Sequence, residues 1–269
     1  MCTLTLAWRV FPNAPVVLVA NRDESLSRPS EPPAVRSGSL RVVAPRDAVA
    51  GGTWIGASEA GLLAAVTNRW LDADRDGDRS RGLLVDDRLR EPSAEAAVRG
   101  LLRDLDRHSY DGFTLLLADR VAAFLVAYDG HPTVRRLDPG VHVLGNVGGV
   151  LNGIERFQVP TRRADEGAAR AASARRIAAT LAPEPGESAD GWAARAAAVL
   201  ADHDYGACLH GDGFGTRSCS RIVLGDEPRF EFADGPPCET PLEPVALPAG
   251  FGDGDASDSW RGDDAESQF

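Results

Sequence analysis

The stretch from residue 2 to residue 24, CTLTLAWRVFPNAPVVLVANRDE, indicates how the chain begins to fold. Apolar residues alternate over residues 3–10 and again over 16–20, and the turn-forming run 12–15, Pro-Asn-Ala-Pro, separates them. This pattern predicts two antiparallel strands joined by a short loop. If the loop centres near Asn13, partner numbers sum to about 26, which places Cys2 opposite residues 23 and 24. A hairpin therefore opens the protein and brings Cys2 close to the run 21–24.

Outward from this hairpin, the chain continues with strands, then helices, then strands again. Two more hairpins are predicted over residues 51–66 and 113–128, and shorter strands over 133–137, 141–144, 221–224 and 229–232. Helices are predicted after Ser93, from Thr161 to about Leu181, and from Ser188 to about Leu200. This order favours an α+β layered domain over repeated βαβ units.

Composition and charge narrow the class of protein. The chain has 269 residues, of which 43% are hydrophobic, so it can bury a sizeable core. Its net charge of −11 argues against a nucleic-acid partner, because phosphate binding needs clustered cations. No apolar run reaches the roughly 18 residues of a membrane helix, and no secretory signal pattern is present. We expect a cytoplasmic protein with no membrane insertion and four reduced cysteines; its oligomeric state stays open.

The end of the chain differs from the rest. Residues 236–269 are rich in Pro, Gly, Asp and Ser and carry most of the acidic excess. Such a segment buries too little apolar surface to order itself. The sequence therefore predicts a single domain over 1–235, followed by a largely disordered acidic tail over 236–269.

The position of Cys2 predicts a nucleophile. Removal of Met1 would leave Cys2 with a thiol, reference pKa about 8.5, and a free α-amine, reference pKa about 7.7–8.0, on one carbon. Such a residue supplies both an attacking sulfur and its own base. A carboxylate from the neighbouring run 21–24 would orient the amine, and Arg22 would fix that carboxylate or meet a substrate carboxylate. Taken alone, Cys2 is better explained as a small residue that starts an edge strand, and residues 21–24 as a solvated loop; it is their combination that favours a site.

An ordered set of motifs adds a resemblance. The motifs are M-C-x-L at residues 1–4, A-N-R-D-E at 20–24, S-R-P at 27–29, G-G-T-W-I-G at 51–56, T-N-R at 67–69, S-R-G-L-L-V at 80–85, G-N at 145–146 and G-T-R-S at 215–218. Over roughly residues 1–235 the chain resembles the NRDE family, whose eukaryotic members are called transport and Golgi organisation protein 2. That family is similar in turn to N-terminal-nucleophile hydrolases of the penicillin-acylase and bile-salt-hydrolase type.

The resemblance implies a fold, a reaction and site residues. The fold is a four-layer αββα arrangement, and the reaction is attack by Cys2 on an amide or thioester carbonyl, giving an acyl-enzyme that is hydrolysed or transferred. Asp23 would orient the α-amine, Asn68 and Asn146 would donate to the oxyanion, and Arg221 matches the place of an active-site arginine. The arginine that those hydrolases carry three residues before the aspartate corresponds here to Ala20, with Arg22 as the candidate substitute.

Other residues are assigned to substrate or cargo. Those assigned to a small-molecule substrate are Asn21, Arg22, Glu24, Trp54 and Arg217, although Trp54 fits core packing equally well. The alternative function is non-catalytic binding or trafficking of haem or an acyl lipid in the same pocket. No haem-attachment motif occurs, so one of the five histidines, or Cys2 as thiolate, would ligate haem non-covalently. A third alternative is that the family fold persists with a degenerate site.

No other cofactor and no metal ion is predicted. His203, Cys208, His210 and Cys219 are rich in ligand atoms, but H-x4-C-x-H-x8-C is not a usual zinc spacing. We therefore expect structural roles for these four residues.

Overall fold

The structure is a computed structural model that describes residues 2–73 and 75–252. Met1 and the final residues 253–269 lie outside this range. The strands are β1 Cys2–Phe11, β2 Ala14–Ser25, β3 Ser30–Arg36, β4 Val42–Asp47, β5 Ile55–Ser58, β6 Leu63–Asn68, β7 Phe113–Ala118, β8 Ala123–Tyr128, β9 Pro132–Arg136, β10 Gly140–Gly145, β11 Gly148–Leu151, β12 Ile154–Phe157, β13 Phe214–Leu224, β14 Arg229–Ala233 and β15 Glu243–Pro244. The helices are α1 Arg81–Leu89, α2 Ala94–Leu105, α3 Ala164–Thr180 and α4 Ala189–Ala201.

The opening hairpin forms as predicted, but its register differs from the predicted one. Cys2 lies opposite Arg22, not opposite residues 23 and 24. The loop is the two-residue turn Pro12–Asn13, and a bulge between Trp8 and Phe11 shifts the pairing by a further residue. Arg9 in this bulge has a φ of 52°, which is uncommon for a residue with a side chain. A bulge of this kind has no sequence signal that fixes its place.

The first sheet, sheet A, places this hairpin at its centre. Its eight strands run in the order β12-β11-β10-β1-β2-β13-β14-β15, so β1 lies between β10 and β2. Side chains alternate between its two faces. Odd-numbered residues such as Val17 and Val19 pack toward helices. The residues of β1 and β2 that pack toward the second sheet are Leu4, Leu6, Trp8, Val16, Leu18 and Ala20.

The second sheet, sheet B, has seven strands in the order β3-β4-β5-β6-β7-β8-β9. Its outer face packs against α1 and α2 through a buried cluster that includes Leu84, Leu101 and Phe113. Helices α3 and α4 pack on sheet A through another cluster that includes Ile177 and Trp192. A third cluster lies between the two sheets. The layers are therefore α3/α4, sheet A, sheet B and α1/α2, which is the αββα arrangement.

Most strongly patterned elements are where the sequence places them. The hairpin over 113–128 is β7 and β8, and the helix after Ser93 is α2, whose first turn Ser93 caps by accepting from the N–H of Ala96. The helices at 161–181 and 188–200 are α3, preceded by a short 3-10 turn at Thr161–Arg163, and α4. Helix α1, the pairs β3–β4 and β11–β12, and β15 have no counterpart in the prediction.

The folded region extends past the predicted boundary at residue 235. The N–H of Val245 donates to the carbonyl of Phe230, and Phe251 is buried against the cluster between the sheets. Residues as far as Gly252 therefore contact the domain through a few apolar side chains of a segment for which the sequence predicts disorder. The remainder of the predicted tail lies outside the described residues. None of the described helices is long and apolar enough to cross a membrane.

Candidate active site

A small cleft opens where β1 begins, between the two sheets. It encloses about 130 Å³. Its lining comes from both sheets and from the start of α1: Cys2, Arg22, Asp23, Glu24, Arg28, Asp47, Thr53, Trp54, Val66, Asn68, Ser80, Arg81 and Gly82. The cleft therefore contains six of the ten residues that the sequence assigns to catalysis or binding, Cys2 among them.

Cys2 begins β1, which lies between β2 and β10. On one side it pairs with Arg22 of β2. On the other side β1 pairs with β10 from Leu4 opposite Leu144, and Asn146 follows directly after the end of β10. Burial raises the pKa of the Cys2 thiol above its ordinary value, while the positive charge of Arg22 acts in the opposite direction. A neutral thiol of this kind needs a nearby base to become a nucleophile.

The guanidinium of Arg22 is buried and held from several sides. It stacks over the ring of Trp54, with its central carbon 4.1 Å from the ring centroid. Its Nη2 lies 3.4 Å from Oδ2 of Asp47 and 3.7 Å from Oε2 of Glu24. Its Nη1 is buried and finds no hydrogen-bond acceptor within residues 2–73 and 75–252. Burial lowers the pKa of Arg22, and the charges of Glu24, Cys2 and Asp47 oppose that effect.

Asp47 anchors this cluster of cations. Nε of Arg28 donates to its Oδ2 at 2.6 Å, and Nη2 of Arg28 donates to its Oδ1 at 3.2 Å. Burial alone would raise the pKa of Asp47, but the hydrogen bonds from Arg28 and from the N–H groups of Ala50 and Val49 hold it below its ordinary value. Asp47 is therefore the fixed negative charge against which Arg22 and Arg28 are positioned.

Asp23 lies at the edge of the cleft, at the end of β2. Its Oδ1 accepts a hydrogen bond of 2.6 Å from the hydroxyl of Thr216 in β13, and the N–H of Leu209 donates to the same hydroxyl at 2.9 Å. Burial raises the pKa of Asp23, and the hydrogen bond from Thr216 opposes this shift. The chain Leu209–Thr216–Asp23 thus fixes the carboxyl group next to the start of β1.

Asn68 and Asn146 come from different sheets and meet at the cleft. Nδ2 of Asn146 donates to the main-chain carbonyl of Asn68 at 2.8 Å, and the N–H of Trp70 donates to the carbonyl of Asn146 at 3.0 Å. Asn68 lines the cleft, and Asn146 is buried beside it. Asn68 therefore shares the cleft with Cys2, and the side chain of Asn146 links the two sheets through the main chain of Asn68.

The first turn of α1 forms one wall of the cleft. Ser80 caps the helix by accepting from the N–H of Gly82, and the N–H of Thr53 donates to the carbonyl of Gly82 at 2.9 Å. Gly52 has a φ of 69°, and a Cβ there would overlap the backbone of Gly82. Glycine at position 52 is therefore required both by its backbone angle and by this close approach.

Three predicted site residues point elsewhere. Nδ2 of Asn21 donates to the carbonyls of Leu200 and Ala207 at 2.9 and 3.0 Å, so this side chain is on the helix-facing side of sheet A. Arg221 pairs with Glu231 of β14 on that same side. Nη1 of Arg217 donates to the carbonyl of Leu26, outside the cleft lining. Strand alternation explains the first two corrections, because odd-numbered positions of β2 and β13 face α3 and α4.

Sequence reasoning missed four contributors to the site. Arg28 and Thr216 lie inside quoted motifs, S-R-P and G-T-R-S, but their partners are far along the chain. Thr53 also lies inside a quoted motif, G-G-T-W-I-G, whereas Asp47 carries no local signal; the roles of both depend on how sheet B stacks on sheet A. For Thr216, the pairing of β13 with β2 would have provided the signal.

A larger groove lies next to the cleft, beside Arg69 and Val147. It encloses about 370 Å³ between β7–β9 of sheet B and β10–β12 of sheet A. Apolar side chains such as Leu125 and Phe157 line it together with Arg135 and Arg156. No histidine or cysteine belongs to its lining, so haem in this groove would have no axial ligand from those residue types.

The fold is shared with solved amidohydrolases. An N-acylethanolamine-hydrolyzing acid amidase ortholog from Caenorhabditis elegans superposes with a TM-score of 0.50 at 12% identity, covering 82% of this chain and 92% of that one. The C2A variant of the conjugated bile acid hydrolase from Clostridium perfringens gives a TM-score of 0.52 at 10% identity, covering 92% of this chain and 97% of that one. At such low identity the likeness shows the fold, that of the N-terminal-nucleophile hydrolases.

Sequence relatives agree on the family. The human Transport and Golgi organization protein 2 homolog is 34% identical over 142 residues, and its mouse counterpart is 31% identical over 141 residues. Each alignment spans about half of this chain and half of the relative. The model of the Transport and Golgi organisation 2 family matches residues 1–234. The chain therefore belongs to the Transport and Golgi organisation 2 family.

Proposed function

We propose that the protein is an N-terminal-cysteine hydrolase or acyltransferase that acts on an amide or thioester through an acyl-Cys2 intermediate. The observation that carries the proposal is the placement of Cys2 in a cleft with Arg22, Asp23 and Asn68. Each of these groups matches a need of acyl transfer: a nucleophile, a cation, an orienting carboxyl and an amide donor.

The reaction requires that Met1 is removed, so that Cys2 carries a free α-amine. That amine takes the thiol proton as sulfur attacks the carbonyl carbon, and the carbonyl oxygen becomes an oxyanion. The C–N or C–S bond then breaks, and the proton passes from the amine to the leaving amine or thiol. Water or another acceptor attacks the acyl-Cys2 thioester, which releases the acid or the transferred product and restores the thiol.

The electrostatics of the cleft support these steps. Because burial raises the pKa of the Cys2 thiol, a base on the same residue is the efficient way to remove its proton. Arg22 adds a positive charge beside the sulfur, and its Nη1 is a donor that a substrate carbonyl or carboxylate would satisfy. This also supports Arg22 as the substitute for the arginine that Ala20 replaces, since both side chains lie on the face that looks into the space between the sheets.

The related folds point to the substrate class. One solved neighbour is named for the hydrolysis of N-acylethanolamines and the other for the hydrolysis of conjugated bile acids. The apolar and arginine-lined groove beside Arg69 would accommodate an acyl chain that ends in a polar or acidic group. The same groove favours a second candidate function, non-catalytic binding of an acyl lipid as cargo.

The experiment is an intact-mass measurement on purified protein before and after brief exposure to panels of acyl thioesters and acyl amides. We expect loss of Met1 and an acyl adduct on the wild type, and no adduct on Cys2→Ala. Cys219→Ser is the matched control, since Cys219 is a free cysteine outside the cleft lining; its adduct level should equal that of the wild type.

Two results would count against catalysis. Retention of Met1 would remove the α-amine base, and an adduct that persists in Cys2→Ala would place the acyl group elsewhere. Stoichiometric retention of lipid by both the wild type and Cys2→Ala, without an adduct, would instead support the cargo function.

A further inference from the structure

Four metal-ligating side chains converge on the helix side of sheet A, outside the cleft. His203 belongs to a short 3-10 turn after α4, Cys208 and His210 lie in the loop that leads to β13, and Cys238 lies in the segment after β14. One ligand atom from each of these residues lies within 4.8 Å of all the others. The sequence pattern suggested Cys219 for this group, but Cys219 is fully buried in β13 against the helices, and Cys238 occupies the fourth position.

The distances fit a tetrahedral ion. Sγ of Cys208 is 3.4 Å from Sγ of Cys238, and Nε2 of His210 is 3.8 Å and 3.1 Å from these two sulfurs. A zinc ion with Zn–S bonds of about 2.3 Å and Zn–N bonds of about 2.0–2.1 Å separates two sulfur ligands by about 3.8 Å and a sulfur from a nitrogen by about 3.6 Å. Shifts of a few tenths of an ångström at Cys208, His210 and Cys238 are sufficient to reach those values, and the ligand atom of His203 lies within 4.8 Å of the other three.

We propose that His203, Cys208, His210 and Cys238 form a structural zinc site of the Cys2His2 type. Two thiolates and two imidazoles select zinc over magnesium or calcium, which prefer oxygen ligands. Binding releases one proton from each cysteine thiol, so the site forms without any oxidant or reductant. Glu239 lies 4.0 Å from Nδ1 of His210, the ring nitrogen that faces away from the sulfurs, where a carboxylate commonly orients a ligating histidine.

The zinc site would stabilise the loop at residues 207–209, which contacts β2 and β13 next to the cleft. Ala207, next to Cys208, accepts a hydrogen bond from Asn21, and Leu209, on its other side, donates to Thr216, which in turn holds Asp23. An ion on Cys208 ties this loop to the turn after α4 and to the segment after β14. This inference does not depend on whether Cys2 is catalytic, since it concerns the hydrogen bonds that hold the end of β2.

The test begins with metal analysis of the full chain, purified under reducing conditions without chelator. We expect close to one zinc ion per chain in the wild type, and fewer than about 0.1 per chain in Cys208→Ser and in Cys238→Ser. Cys219→Ser is the matched control, a buried cysteine outside the group, and should keep its zinc. A strong chelator should lower the Tm of the wild type by on the order of 5 °C and leave that of Cys238→Ser unchanged.

Cobalt substitution of the wild type keeps the test independent of whether variants fold. Tetrahedral cobalt with two thiolates absorbs intensely in the red and shows sulfur-to-cobalt charge transfer in the near ultraviolet, and we expect both bands. The proposal is overturned if the wild type contains no zinc and cobalt produces neither band. It is equally overturned if Cys238→Ser retains the zinc, or if Cys208 and Cys238 form a disulfide in the reduced preparation.

Discussion

Strand β2 turns Arg22 toward the cleft between the sheets, whereas Asn21, its neighbour in sequence, is turned toward α4. On the cleft side, Arg22 meets Cys2, Trp54 and Asp47. On the helix side, Asn21 bonds the carbonyls at the end of α4 and in the following loop. Two consecutive residues of one motif thus lie on opposite faces of sheet A. Strand alternation places Arg22 in the candidate active site and Asn21 in contacts that stabilise the fold.

Asp23 stands where these two faces meet, and its replacement should have the largest effect. In Asp23→Asn the orienting carboxylate is lost, and we expect the rate of Cys2 acylation to fall on the order of 10⁴-fold, as for the orienting carboxylate of a catalytic triad. Thr216→Val keeps the carboxylate but removes its hydrogen bond, so its effect should be clearly smaller. Adduct formation followed by intact mass measures both rates. Wild-type acylation by Asp23→Asn would contradict this role.

A pair of arginine variants compares the two faces directly. Arg22→Gln removes the cation beside Cys2, and we expect acylation to slow about 100-fold, which is typical for the loss of one preorganised donor. Arg221→Gln removes a partly exposed pair with Glu231 and should leave the acylation rate unchanged. The same mass assay applies. Equal losses of acylation rate in the two variants would contradict the assignment of Arg22 to the site and of Arg221 to the opposite face of sheet A.

Asn21→Ala should reduce stability without a direct effect on chemistry. It leaves the buried carbonyls of Leu200 and Ala207 without their donor, and we expect the free energy of unfolding to fall by about 1–3 kcal/mol. Urea unfolding measures this loss, with the exposed Asn13→Ala in the same hairpin as control. A drop in acylation rate under conditions where the variant is fully folded would refute the assignment of Asn21 to bracing.

His142 provides the smallest effect, at the other end of the face that holds Cys2. Burial lowers its pKa, although a hydrogen bond with the carbonyl of Asp138 opposes that shift. The unfolded chain therefore takes up a proton near the ordinary histidine pKa of about 6.5 while the folded chain does not. Stability is full above that pH and is lost as the pH falls toward the lowered folded pKa.

Urea midpoints measured between pH 7 and pH 5 provide the test for His142. We expect a steeper loss of stability in the wild type than in His142→Gln. Parallel curves for the two proteins would show that His142 does not titrate in this way.

The alternating pattern was sufficient to predict the hairpins, and the apolar spacing was sufficient for α2, α3 and α4. Helix α1 was missed because it has nine residues and begins with Arg81 and Gly82 after a charged loop. Strand β3, SEPPAVR, contains two prolines at the edge of its sheet and shows no regular alternation. The proximity of Cys2 to residues 21–24 was predictable to within two residues, and the bulge near Arg9 accounts for part of the remaining shift.

The site was predictable only where it follows from one strand pair. The contact between Asn68 and Asn146 depends on how the two sheets stack, which strand patterns alone do not predict. Both residues were assigned to the site only through the family resemblance. Arg221 could have been placed correctly from parity alone, because its neighbours Ser220 and Ile222 belong to the face between the sheets. From the sequence, Cys219 was considered together with His203, Cys208 and His210, and Cys238 was not considered. Cys238 is distant in sequence and lies in a segment predicted to be disordered.

The contact between Gly52 and Gly82 has a consequence for how such a cleft can change during evolution. The main chain at Gly52, just before β5, contacts the main chain of Gly82 in the first turn of α1. No side chain lies between them that a substitution could make larger or smaller. Point substitutions cannot widen this wall gradually, since any side chain at position 52 meets the main chain of Gly82. Changes in the shape of the cleft would therefore have to come from lining residues that carry side chains, such as Trp54 and Val66.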